Sequence, residues 1–213
     1  MLLPALQSLL RDLYALEVGY DIADFVTTDA DLARALDSHG RPAQEKLLIA
    51  QIDGAADVCL YLDDAVLARL EHNDPLTRLT ADNLGDFWTA FEGVSHFMYF
   101  AFNAELEKPV TLLEMELQAE VDKFVATSLL LARQGERPQR ALHHWLFELP
   151  QLDAGLSYAE VDRYRSANRY AGKYCRALAP AIARSPADPE VTSELRRFYR
   201  WSQTDKIAHI ERR

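Results

Sequence analysis

The sequence predicts an α+β protein that is mainly helical, with a small N-terminal antiparallel sheet followed by a helical bundle around a long central αα-hairpin, residues 84–133. Three observations carry this. The stretch 84–131 has the densest apolar content in the chain, and its few polar residues recur at helical spacing. Lys108–Pro109 divides it, because proline has no N–H to donate and restricts the residue before it, so a helix stops there. Upstream, two apolar runs, 46–52 and 57–62, flank Asp53-Gly54, a good hairpin signal. Residues 1–79 then form a small α+β subdomain and residues 80–213 the bundle, together one compact unit.

In chain order, residues 4–18 read as an amphipathic helix with Pro4 tolerated in its first turn. The lack of a basic n-region and the early Arg11 and Asp12 argue against a signal peptide. Tyr20–Thr27 alternates as a strand, with Ile22 and Phe25 toward the core. Thr28 or Asp29 caps a short helix, 30–38, closed by Gly40. The two runs around Asp53-Gly54 complete a three-stranded antiparallel sheet, with helix as the alternative for these Leu- and Ala-rich segments. Asp63 or Asp64 caps a helix over 65–72, ended by Asn73-Asp74-Pro75.

The first hairpin helix starts in the capping cluster Thr80–Asn83 and runs to 107. The second spans 111–133. Thr111-Leu-Leu-Glu114 reads as a capping box, Val110 and Met115 as its staple, and Gly135 as the left-handed exit. A shorter helix, 138–148, lies between Pro138 and Pro150. Ser157-Tyr-Ala-Glu160 is a second capping box, opening a helix over 158–178. Pro180, Pro186 and Pro189 read as a break, and Asp188-Pro189 opens a final helix, 189–211.

The polar residues of the hairpin are the candidate site. Glu92, His96, Tyr99 and Asn103 follow one another at spacings 4, 3, 4, which places them on one stripe of the first helix. Glu116, Glu120, Lys123 and Thr127 repeat that spacing on the second. One reading makes each stripe the solvated edge of a mostly buried helix; the other makes it an internal polar seam, since a solvated edge normally carries Lys, Arg and Glu and the first stripe is Glu, His, Tyr and Asn. Buried groups of this kind must pair, since each unsatisfied one costs about 1–3 kcal/mol. Glu92, His96, Tyr99, Asn103, Glu116, Glu120 and Lys123 are therefore the candidate binding residues, with Glu92 as a possible base and His96 or Lys123 as its partners. The opposite line, Glu114, Gln118 and Asp122, reads as the water-facing side. Gly93 marks a close crossing, because a glycine inside a helix costs about 1 kcal/mol against alanine.

No metal set is read from the sequence. Glu92 and His96 form Glu-x-x-x-His rather than the Glu-x-x-His of di-iron bundles, and a carboxylate cage needs more ligands than two helices place. No cofactor is indicated: there is no Gly-rich phosphate loop, nucleophile elbow or paired Cys and His at zinc spacing. Cys59 and Cys175 belong to no redox or metal motif, which suits a cytoplasmic protein. No uncharged apolar run reaches 18 residues, which argues against a membrane span. The net charge of −10 is uneven: residues 1–132 hold 8 basic and 23 acidic residues (−15), and residues 133–213 hold 15 and 10 (+5). Tyrosines interleave with cations over 158–176, yet a +5 region in so acidic a chain is a poor tracker of nucleic-acid backbones. Those cations are expected against the acidic part, within the chain or in self-association. The leading expectation is a non-catalytic accessory or protein-interaction protein. The alternative is a small-ligand binder or enzyme using the buried Glu/His/Lys seam.

Overall fold

Helix α1 (Leu2–Tyr14) turns its apolar face, with Leu3, Leu6, Leu10 and Leu13, into the core, and Ala15 in the left-handed conformation (φ 49°) ends it earlier than residue 18. The computed structural model describes residues 1–37, 41–52, 55–136, 140–149, 155–185 and 188–213, and among these the protein is mainly helical with one three-stranded sheet. The expected strand at Tyr20–Thr27 is mostly something else. Asp21 accepts from the Ala23 amide and sets a single 3₁₀ turn at Ile22–Asp24, which leaves only Val26–Thr27 as strand β1. After α2 (Ala30–Leu36), capped by Asp29, the chain enters β2 (Glu45–Ile52) and β3 (Ala55–Leu62). These two pair antiparallel, Glu45 opposite Leu62, so the hairpin reading holds over the helical alternative. The Asp53-Gly54 turn, Gly40, Pro138, Pro150 and Pro186 lie outside the described residues.

The sheet is mixed rather than antiparallel. Its order is β1-β3-β2, and β1 runs parallel to β3 with Val26 opposite Leu60. The physical reason is the crossover through α2: it carries the chain past β3 to the far edge before the hairpin returns.

Helix α3 (Asp64–His72), capped by Asp63, leads to α4 (Ala81–Glu105) and α5 (Leu112–Arg133), the central hairpin. Asn83 accepts from the Thr80 amide at the start of α4. Left-handed Glu107 (φ 54°) turns the chain before Pro109. Thr111 accepts from the Glu114 amide, but the reciprocal half of that capping box is missing, because the Glu114 carboxylate is taken by Tyr99. Gly135 (φ 77°) supplies the left-handed exit.

Helix α5 is the axis of the molecule. It packs against α4 on one side and against α7 (Tyr158–Arg184) even more extensively. Leu117, Val121, Val125 and Ala126 are buried, and so are Glu114, Gln118 and Asp122. The water-facing side expected from that second polar line therefore does not exist: α5 is covered all round.

Helix α6 (Arg140–Phe147) packs on α7 across Gly172, where an added methyl would meet Phe147 at 3.1 Å. The Ser157–Glu160 box opens α7 as expected, but Pro180 lies within it. Pro180 and Arg176 are both on the exposed face, where water can meet the carbonyl that the missing N–H leaves free. The final segment is two helices, α8 (Pro189–Arg200) and α9 (Gln203–Glu211), because Ser202 accepts from the Asp205 amide and starts a new cap.

Two C-terminal cations, Arg196 and Arg200, reach the end of α1. Arg196 donates to the carbonyls of Asp12 (3.2 Å) and Leu13 (3.1 Å). Arg200 donates to those of Tyr14 and Ala15 (3.0 Å each). Cations and donors at the C-terminus of α1 meet its orphan carbonyls and its dipole. Arg197 pairs with Glu194 at 2.7 Å, and Arg169 lies over the Tyr170 ring. No described helix is long and apolar enough to cross a membrane.

Candidate functional site

The seam exists, but α4 and α5 split it in two. Residues 116 and 118 on α5 differ by about 200° around the helix, so its two polar lines face opposite ways. One faces the sheet and the middle of α7. The other faces α1 and α9.

The first cluster centres on Lys123. Its ammonium donates to Glu92 Oε2 and Glu120 Oε1, each at 2.8 Å. His96, 7% exposed, lies beside them on α4. Its Nδ1 is 3.3 Å from Glu45 Oε1 and its Nε2 is 3.5 Å from Glu116 Oε2. Arg163 of α7 approaches the other Glu116 oxygen at 3.7 Å. Beyond Lys123 the line closes with Thr127, which accepts from the Trp88 indole at 3.0 Å and donates to the Lys123 carbonyl.

Glu92, His96, Glu116, Glu120 and Lys123 thus come together, while Tyr99 and Asn103 do not join them. Tyr99 turns to the other network, and Asn103 donates to the Tyr99 carbonyl at 2.8 Å and helps close the helix end. Two members escaped sequence reading, Glu45 and Arg163, because they come from a strand edge and from a distant helix. A signal for Glu45 was present: strand alternation puts it on the same face as Leu47, which packs against the core. Gly93 explains how it fits. A Cβ there would lie 2.8 Å from Glu45 Cγ and 2.9 Å from Leu60 Cδ1, so this glycine admits the sheet rather than marking a helix crossing.

The electrostatics follow from crowding. Burial disfavours the Lys123 ammonium, but Glu120 and Glu92 outweigh it and hold the amine above the usual lysine range. Burial likewise opposes charge on His96, and Glu45 and Glu116 overcome it, pushing the imidazole well up. Burial raises Glu45 and Glu120 despite their cationic neighbours. Burial acts on Glu92 in the same direction, but there Lys123 and His96 prevail and its carboxyl is lowered. Four carboxylates (Glu45, Glu92, Glu116, Glu120) face two permanent cations (Lys123, Arg163). The protein supplies one compensating charge fewer than the carboxylates when His96 is protonated and two fewer when it is neutral. Three polar atoms here are buried with no hydrogen-bond partner among the described residues: His96 Nε2, Glu120 Oε2 and Arg163 Nε. His96 Nε2 and Arg163 Nε each lie at ion-pair distance from Glu116 but beyond a hydrogen bond.

The second network is closed. Lys206 of α9, fully buried, donates to Tyr99 Oη and Gln118 Oε1 at 2.8 Å each. Tyr99 passes the interaction to Glu114 (2.5 Å), and Gln118 passes it to Asp122 Oδ1 (2.7 Å). Asp122 also accepts from Tyr14 (2.5 Å) and Ser95 (2.6 Å). Burial lowers the Lys206 amine to about 7, against Glu114 and Asp122, and burial raises the Asp122 carboxyl to about 6, against its three donors.

The remaining candidates are structural. His143 stacks near Phe124 and Phe147 and contacts the Gly172 carbonyl through Nε2 at 2.8 Å, while His144 is half exposed beside Glu148. Cys175 is fully buried, and burial pushes its thiol well up, away from the reactive thiolate. Grooves of about 470 Å³ and 250 Å³ lie away from the seam, the first along α8 by Thr192, Arg196 and Arg200, the second between α6 and α7 by His143 and Arg169. No protein-family model matches this chain, and no curated protein and no solved structure is found similar to it.

Proposed function

We propose that this chain is a small-ligand-binding protein whose site is the Glu45–Glu92–His96–Glu116–Glu120 half of the seam, and whose ligand is a cation. The observation that carries this is the surplus of half-buried and buried carboxylates beside atoms with unmet hydrogen-bonding capacity: His96 Nε2, Glu120 Oε2 and Arg163 Nε. Burying charge without a partner is costly, so a cluster left with uncompensated negative charge favours an added cation. The ligand is small, because Lys123, Trp88 and Thr127 close one side and the grooves described above open elsewhere. Access is past Glu92, whose side chain is 25% exposed.

Thermal unfolding of the full chain against a panel of monovalent ions, divalent ions and small amines tests this. A ligand at a hundred times its Kd adds about 2.7 kcal/mol, which raises Tm by roughly 5–10 °C for a chain of this size. The shift should vanish in Glu45→Gln combined with Glu92→Gln. A Tm that no member of the panel moves returns the seam to a purely structural role and favours the accessory-protein reading.

A further inference from the structure

We infer that the cation is a divalent first-row transition-metal ion, held by Glu45 of β2 and by Glu92 and His96 of α4, with Glu116 of α5 orienting the imidazole. This rests on the cation-site reading above and names its ligand class.

The geometry comes first. Glu45, Glu92 and His96 each offer one ligand atom, and these three atoms lie within 4.8 Å of one another. A tetrahedral site with ligands at about 2.0–2.2 Å has edges of roughly 3.4 Å. The Glu45–His96 edge, 3.3 Å, is already at that value. The remaining edges, none longer than 4.8 Å, close by side-chain movement of Glu92, the most exposed of the three. Its Oε2 is held by Lys123, which leaves Oε1 to turn toward the ion.

The second observation is the His96 ring. It is more than nine-tenths buried, with Nδ1 facing Glu45 and Nε2 facing Glu116 without a hydrogen bond. A histidine that binds metal through one nitrogen usually donates from the other to a carboxylate, which fixes tautomer and orientation. Glu116 stands in that position, and a tightening of about 0.5 Å from 3.5 Å would make the bond. Arg163 backs Glu116 from α7, and Gly93 leaves the space that brings Glu45 against α4.

The donor set selects the metal class. One imidazole and two carboxylates suit Mn, Fe, Co or Zn, whereas calcium and magnesium prefer oxygen alone. Lys123, Glu120, Arg163 and Tyr164 also face this space, and none of them replaces an imidazole nitrogen as ligand.

Calorimetric titration of the chelator-treated full chain with Zn²⁺, Co²⁺ and Mn²⁺ tests the proposal. One ion per chain is expected. Glu116→Gln should weaken binding ~10–100-fold, and His96→Gln should abolish it. Because losing His96 can unfold the chain, Glu92→Gln, which keeps an acceptor for Lys123, is the second variant and must also lose binding. Metal affinity unchanged in Glu92→Gln and Glu45→Gln overturns the assignment. A wild-type Tm moved by a monovalent ion or amine but by none of the three metals overturns it while leaving the cation reading intact. A Tm moved by nothing overturns both.

Discussion

Two polar networks flank the same helix, and they differ in how fully their hydrogen bonds are made. On the α9 side, Lys206, Tyr99, Gln118, Asp122, Tyr14 and Ser95 form a hydrogen-bonded chain, and Lys206 reaches the Glu114 and Asp122 carboxylates through neutral relays. On the sheet side, Glu45, Glu92, His96, Glu116 and Glu120 leave polar atoms without hydrogen bonds around an excess of negative charge. The first arrangement is what a fold needs to bury polar groups safely; the second is what a binding site leaves unfinished. Stability and ligand response should therefore separate along α5.

The largest effect is expected at Asp122. Replacing it by alanine strands the Tyr14, Ser95 and Gln118 donors and removes an anion near Lys206. Breaking a buried polar pair from one side costs about 3–5 kcal/mol. Chemical denaturation of Asp122→Ala should show a loss in that range, and a loss below about 1 kcal/mol would mean the closed network is not a stabilising unit.

An intermediate effect is expected from pH. The folded Lys206 pKa, about 7, lies below the usual 10.5, so above pH 7 the unfolded chain binds more protons than the native one. Stability from this group then rises with pH between about 7 and 10.5. The stability of wild type relative to Lys206→Met should rise across that window. A difference that stays flat would show that the amine titrates normally.

The smallest effect belongs to the open cluster. Glu120→Gln keeps an acceptor for Lys123 and removes one of four crowded carboxylates, so without ligand it should leave stability within about 1 kcal/mol or raise it. A loss as large as that of Asp122→Ala would make the two networks equivalent and remove the contrast.

Much of the fold was legible. Pro109, the Thr80–Asn83 cap, the Ser157–Glu160 box and the β-hairpin pattern are local signals, and local chemistry decided them. What escaped reading was non-local. Glu114, Gln118 and Asp122 look like a solvated line until α1 and α9 cover them, and nothing within residues 111–133 announces that cover. Pro180 reads as a break from propensity alone, yet α7 carries it on an exposed face. The β1 segment failed for a local reason, since the Asp21 side chain favours a turn over a strand. Within the open cluster, the five residues of the hairpin share the spacing read from sequence, whereas Glu45 and Arg163 belong to segments each roughly 50 residues away from the helix positions they meet.

The clasp of Arg196 and Arg200 on the end of α1 bears on how the chain matures. Those four carbonyls belong to residues 12–15, and their donors are made some 180 residues later. At translation rates of about 5–20 residues per second, that is a wait of roughly 10–40 s. Throughout it the first helix has neither its arginine cap nor, until Asp122 emerges, the acceptor for Tyr14. Helix α1 is thus made long before it is locked, and any premature stop before Arg196 yields a chain in which that helix lacks its arginine cap.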